Sequence, residues 1–121
     1  MAISRILVVD DSPTERFFLS ELLVKNGYLV SMAESGEEAV AQAKQTLPDL
    51  IVMDVVMPGM NGYQATRMIS KEEATKHIPV IMCTTKGQET DKVWGMRQGA
   101  KAYLVKPVKP EDLLSQIKAL G

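Results

Sequence analysis

The sequence predicts an α/β fold: a doubly wound parallel sheet in which five strands alternate with five helices. Three features predict it. Residues 5–9, 50–53 and 79–83 are short apolar runs without polar alternation, the pattern of strands covered on both faces. Each is followed by turn residues and then by apolar residues at helical spacing, which implies right-handed crossovers with helices on both faces. No internal repeat, low-complexity tract or interdomain linker interrupts the 121 residues, a length that suits one domain, 1–121.

Residues 5–9 form the first strand and end on Asp10 and Asp11. Ser12-Pro13-Thr14-Glu15 reads as a capping box with proline at the first helical position. Phe18, Leu19, Leu22 and Leu23 then recur at helical spacing, and Gly27 stops the helix. Residues 28–33 form a shorter, more polar strand, expected near a sheet edge. Ser35-Gly36-Glu37-Glu38 opens the second helix as another capping box; Ala39, Val40, Ala43 and Leu47 mark its apolar stripe, and Pro48 closes it. Residues 50–53 make the third strand, which ends abruptly on Asp54. Pro58, Gly59 and Gly62 in residues 55–62 forbid a continuing strand or an immediate helix. Asn61 caps a third helix through Met68 and Ile69, and the charged residues 71–76 read as its solvated end. Residues 79–83 form the fourth strand and lead to Thr84 and Thr85. Residues 90–98, with Trp94, form the fourth helix, stopped by Gly99. Residues 102–105 are the fifth strand, followed by Lys106-Pro107. Pro110 opens the last helix, with Leu113, Leu114, Ile117 and Leu120 on its apolar face. At this size the favoured strand order is the flavodoxin-like 2-1-3-4-5, with its switch point between strands one and three.

Composition narrows the functional classes. Hydrophobic residues make up 45% and charged residues 24%, enough for a packed core. A net charge of −1, from 14 basic and 15 acidic residues, gives no nucleic-acid footprint. No apolar segment approaches the roughly 20 residues needed to span a bilayer, so no membrane insertion is expected. The N-terminus lacks the pattern of a signal peptide. A single cysteine excludes an internal disulfide. Together these lead to the expectation of a cytoplasmic protein.

The strands end on Asp10-Asp11, Asp54, Thr84 and Lys106, and the expected topology gathers those ends at one edge. Alone, Asp54 also fits a residue that merely caps a turn. Three carboxylates together repel, so the cluster needs a cation or a raised pKa. Mg²⁺ suits hard oxygen ligands. Lys106 adds a fixed positive charge and Thr84 a hydroxyl. Carboxylates, a hard metal, a lysine and a hydroxyl suit a phosphoryl group, and a carboxylate can itself be the nucleophile. Asp54 is the nucleophile candidate, standing alone on a central strand; Asp10 and Asp11 read as metal ligands, direct or through water.

Val-Val-Asp-Asp-Ser, Val-Met-Asp-Val-Val-Met-Pro-Gly-Met-Asn-Gly, Cys-Thr-Thr and Val-Lys-Pro, in this order and spacing, resemble the receiver domains of two-component response regulators, the chemotaxis CheY type. The resemblance covers the whole chain. It implies Asp54 as phosphoacceptor and Mg²⁺ held by Asp11, Asp54 and the Val56 carbonyl, with Asp10 helping through water. It implies Thr84 and Lys106 as phosphoryl contacts, and a cis peptide before Pro107. Tyr103 matches the family's aromatic switch position: when the Thr84 hydroxyl moves toward the phosphoryl group, Tyr103 turns inward and alters a face made of helix four, strand five and helix five, carrying Lys92, Trp94, Lys101 and Val108. Asp-Asp-Ser-Pro-Thr-Glu and the stretch 84–100 are similar, more narrowly, to the PilH-type regulators of twitching motility. Thr85 stands where many relatives have alanine, so its bulk bears on switching. The implied partners are a histidine kinase as phosphodonor and a downstream motility or signalling protein. No Walker-type loop is present, and no output domain is expected after the last helix. The output is then binding, or the draining and shuttling of phosphoryl groups.

Competing functions meet obstacles in the residues. A small aspartyl-phosphate phosphohydrolase of the haloacid-dehalogenase type wants a second Asp two positions after the nucleophile, where this chain has Val56. A flavin carrier needs a Ser/Thr-rich loop after strand one and stacking aromatics, against Asp-Asp-Ser-Pro and 5% aromatics. A receiver that binds without phosphorylation would not need all the family positions filled. His77 reads as a surface histidine, Cys83 as a small buried hydrophobe, and the 8 methionines as core filler, with Met57 and Met60 in the acidic loop open to another role.

Overall fold

The computed structural model describes residues 2–121. Its elements run β1 (Arg5–Val9), α1 (Pro13–Lys25), β2 (Leu29–Ala33), α2 (Gly36–Thr46), β3 (Leu50–Met53), α3 (Gly62–Lys71), β4 (Val80–Thr84), α4 (Glu89–Arg97), β5 (Ala102–Val105) and α5 (Pro110–Leu120). All strand pairs are parallel and the order is β2-β1-β3-β4-β5, as the alternation of runs predicts. β3 and β4 are buried at every residue, which is why they show no polar alternation. β2 lies at the edge and carries exposed Leu29 and Met32.

Alternate strand residues face opposite layers. Leu7, Val9, Ile51 and Met53 pack with Ala39 and Ala43 of α2 and with Ala65 and Ile69 of α3. Ile6, Val8, Leu50, Val52 and Ile81 pack with Leu19 and Leu23 of α1 and with Leu113 and Ile117 of α5. A smaller group, Val55, Tyr63, Met82 and Ala100, sits under α4 with Tyr103 against it.

Three departures from the sequence reading have local causes. Leu47 is not part of the α2 stripe: it is 43% exposed and ends the helix at φ 46°, because the residue before Pro48 is barred from helical geometry. Phe18 is 46% exposed, so only Leu19 and Leu23 of its stripe are fully buried. The charged segment behind α3 is not merely solvated. Thr75 is 1% exposed, and its hydroxyl donates to the Ile69 carbonyl at 2.7 Å. His77 is exposed, Cys83 is buried, and burial pushes the Cys83 thiol up to about 12. Met57 belongs to the core beside Met53, with Met60 packed against it.

The amino ends of the strands are tied together. The Asp49 carboxylate accepts the Ser4 and Arg5 amides at 3.0 and 2.9 Å, which holds its pKa below the usual value. The Arg5 guanidinium donates to the Thr46 and Leu47 carbonyls at the end of α2.

Candidate functional site

The carboxyl ends of the strands are brought level by backbone bonds. The Asp10 amide donates to Ala33, the Asp54 amide to Val9 and the Lys106 amide to Thr84, at 3.1, 2.9 and 2.8 Å. Met53 pairs with Met82, and Thr84 with Val105. Asp10, Asp54, Thr84 and Lys106 are therefore neighbours by register, as the strand-end reading requires. Val56 lies two residues beyond Asp54 in the following loop, with an exposed side chain.

Carboxylate oxygens of Asp10, Asp11 and Asp54 lie within 4.8 Å of one another. Asp10 is 1% and Asp54 7% exposed, while Asp11 is open to solvent. The Lys106 ammonium is 2.7 Å from Asp10 Oδ2 and 3.8 Å from both Asp54 Oδ1 and Glu15 Oε1. Both Asp10 oxygens are engaged, since Oδ1 accepts the Ser12 amide at 2.9 Å. Asp54 Oδ1 accepts the Val55 amide at 2.9 Å, and its Oδ2 takes no hydrogen bond from the described residues. Asp54 is thus held by one oxygen and open at the other.

The electrostatics follow. Burial first, then the Asp10 charge, raise Asp54 to about 6, with Lys106 and the Val55 amide pulling the other way and Asp11 adding to the rise. Burial alone would lower Lys106, but the Asp10 bond and the charges of Asp54, Asp10 and Glu15 hold it above its ordinary value. At this spacing one like-charge pair costs on the order of 3–4 kcal/mol at an effective dielectric of about 20. Three carboxylates, those of Asp10, Asp54 and Glu15, lie within 4 Å of the one ammonium, and Asp11 lies beside Asp10 and Asp54, so the site has an excess of negative charge. An all-oxygen donor set of this kind fits a hard divalent cation.

The local sequence explains the placement. Gly62 is required: a Cβ there would come 2.1 Å from the Asp54 carbonyl oxygen, and the Gly62 amide donates to Val55 at 2.9 Å. Asn61 caps α3 in a full capping box with Gln64. This fixes the loop after Asp54. The peptide between Lys106 and Pro107 is cis, as the resemblance implies. Thr84 is buried and its hydroxyl accepts the Lys86 amide at 3.3 Å; Thr85 is exposed.

Three residues at or near the site escaped the sequence reading. Glu15 looked like half of a capping box; Ser12 does accept the Glu15 amide at 3.3 Å, but the Glu15 carboxylate lies toward Lys106 instead. Arg16 donates to the Asp10 carbonyl at 2.6 Å and pairs with Glu34 at 3.4 Å, pinning the turn that carries Asp10 and Asp11. Tyr63 meets Tyr103 hydroxyl to hydroxyl at 3.2 Å. The acid pair just ahead of Glu15 and Arg16 was the available signal for both.

A doubly wound sheet with this acidic, lysine-bearing edge has the parts that a phosphoryl-accepting signalling module needs. The family described as response regulator receiver domain matches residues 6–118, and the chain belongs to it. The chain is 57% identical to protein PilH of Pseudomonas aeruginosa over 117 residues, 97% of each chain. It resembles the solved chemotaxis protein CheY4 of Vibrio cholerae, with 36% identity, a TM-score of 0.91, and 99% of this chain and 100% of that one covered. It also resembles the receiver domain of sensor histidine kinase PA1611 from Pseudomonas aeruginosa, which was solved with a magnesium ion coordinated in its active site cleft. That match has 31% identity and a TM-score of 0.90 and covers 98% of each chain. Several other curated relatives are longer, and the chain spans about half (51%) of their length. The expected fold and family are thereby established. Among the described residues, no helix is long and apolar enough to cross a membrane.

Proposed function

We propose that this chain acts as a response-regulator receiver in a two-component phosphorelay, with Asp54 as the phosphoacceptor. The observation that carries the reading is the Asp54 carboxylate itself: buried, flanked by Asp10, Asp11 and Lys106, and open at one oxygen. A carboxylate oxygen of Asp54 forms a bond to phosphorus as the P–N bond of a partner kinase's phosphohistidine breaks. The imidazole nitrogen keeps the bonding electron pair, and Asp54 becomes an acyl phosphate. Lys106, already 3.8 Å from Asp54, neutralises charge on the transferred group, and the Thr84 hydroxyl donates to it. Asp11, Asp54 and the Val56 carbonyl would hold Mg²⁺, with Asp10 acting through water, which agrees with the full engagement of both Asp10 oxygens. Bound there, the cation supplies charge neutralisation and a template for the incoming phosphoryl group. The chain is no enzyme toward a separate substrate; it accepts and loses its own phosphoryl group.

Output follows by binding at the face of α4, β5 and α5, in the cytoplasm, within chemotaxis-like or type IV pilus (twitching) motility. The likeness to PilH supports that pathway. Exposed Val93, Trp94 and Met96 supply apolar anchors on the face. The test is incubation with a small phosphodonor, or with beryllofluoride, in the presence of Mg²⁺. A mass increase of one phosphoryl group in the wild type, lost in Asp54→Asn, is expected; an unmodified, unresponsive wild type overturns the reading.

A further inference from the structure

The aromatic-switch reading has Tyr103 turn inward when Thr84 moves. In the structure Tyr103 is partly buried and folded toward Tyr63. Its side chain packs against Val55, Tyr63, Met82 and Ala100. Its hydroxyl donates to the Lys86 carbonyl at 2.8 Å. None of these partners is Asp54.

Counting protons identifies what holds the ring there. Tyr103 commits its one hydroxyl proton to Lys86, so it can only accept from Tyr63. The Tyr63 proton is then shared between Tyr103 and the Asp91 carbonyl, both at 3.2 Å. Lys86 closes the circuit. Its amide donates to the Thr84 hydroxyl, its carbonyl accepts from Tyr103, and its ammonium lies 3.7 Å from Asp91. Gly95 provides the seat, because a Cβ there would come within 2.8 Å of the Tyr103 ring and the Met82 sulfur. Burial first, then the Tyr63 hydroxyl, push the Tyr103 phenol above its ordinary range, so it stays a donor.

We propose that Tyr63 is a positioning residue that latches Tyr103 in the folded-in arrangement, so that this arrangement does not require a phosphoryl group on Asp54. The significance rests on the reading of α4, β5 and α5 as the output face. Phosphorylation then acts through Thr84 and the β4–α4 loop, and the ordering of the aromatic ring is supplied in advance by the fold. Pre-organisation of this kind raises the population competent to bind a partner before any signal arrives.

The test is ¹⁹F NMR of protein carrying 3-fluorotyrosine. The chain has 3 tyrosines, so Tyr28→Phe and Tyr63→Phe assign the signals. Two results are expected. Without any phosphate analogue, Tyr63→Phe moves the Tyr103 signal toward the solvent-exposed position. The folded-in ratio drops about fivefold, the factor that matches the net worth of one neutral hydrogen bond. In the wild type, beryllofluoride with Mg²⁺ shifts the Asp54 and Thr84 backbone amide signals of a parallel ¹⁵N-labelled sample but leaves the Tyr103 fluorine signal in place. The proposal is overturned if Tyr103 is indifferent to Tyr63→Phe, or if beryllofluoride moves the wild-type Tyr103 signal as far as the variant does. A wild type with no beryllofluoride response at Asp54 defeats the phosphoacceptor reading instead, and the analogue-free comparison still decides the latch.

Discussion

Asp54 carries a carboxyl that the fold raises to about 6 from an ordinary value of 3.8, chiefly by burial. The folded state therefore binds more protons than the unfolded one between these values. The stability linked to the protonated group is fully present below the unfolded pKa and is lost as pH rises through the folded pKa. In metal-free buffer, the unfolding free energy is expected to fall as pH is raised from about 4 to 7. Asp54→Asn should flatten that slope and raise stability at pH 7 by on the order of 1 kcal/mol, after allowance for solvent screening. Urea titrations at several pH values, with chelator present, measure it; an unchanged slope in Asp54→Asn would remove the electrostatic account. Lys106→Met deletes a cation that faces Asp10 and Asp54 at once. Phosphoryl acceptance from a small donor should slow by about 10²-fold or more, the usual cost of one preorganised charge-stabilising donor. The same residues show what a sequence can reveal. Asp10, Asp54, Thr84 and Lys106 each end a strand, so one topological assumption gathers them. Glu15, Arg16 and Tyr63 act on groups outside their own helices; the adjacent acid pair was a signal for the first two, and nothing local to Tyr63 names its partner.

At the scale of elements, two glycines set how closely helices approach the sheet. Gly62→Ala would drive a methyl against the Asp54 carbonyl oxygen. Backbone cannot yield as a side chain does, so a loss of about 1–3 kcal/mol or more is expected. It should appear as a lower denaturation midpoint with an unchanged m-value. Gly95→Ala pits two effects against each other. Alanine gains about 1 kcal/mol of helix propensity over glycine, while overpacking against Tyr103 and Met82 costs about 1–3 kcal/mol. The second should win, giving a net loss with a displaced Tyr103; a more stable Gly95→Ala protein would show that the seat is soft. The unbroken runs made β1, β3 and β4 legible, and capping residues placed the starts of α1, α2 and α3. Phe18 misled because periodicity does not say how wide the buried stripe is, and Leu47 because the helix ends before it, ahead of Pro48. Thr75 was hidden among charges, since a single buried hydroxyl leaves no periodic trace.

For the whole molecule, a divalent cation should stabilise the fold by mass action, by about 2.7 kcal/mol at a hundred times its dissociation constant. The effect should be larger at pH 7 than at pH 4, where a proton on Asp54 competes with the cation. Thermal melts with and without Mg²⁺ at the two pH values check this, and an equal gain at both would contradict the cation's contact with Asp54. Architecture and strand order were readable because a parallel sheet of this size has few connectivities. The tyrosine circuit was not, because it depends on three-dimensional packing beneath α4 that no spacing rule encodes.

The clasp of Asp49 on the Ser4 and Arg5 amides, with Arg5 reaching the last carbonyls of α2, lies at the end of the sheet opposite the acidic cluster. It staples β1 to the start of β3 and to the end of α2. In hydrogen-exchange experiments those two amides should exchange more slowly than their exposed place near the chain's start would suggest, and Asp49→Ala should release both together.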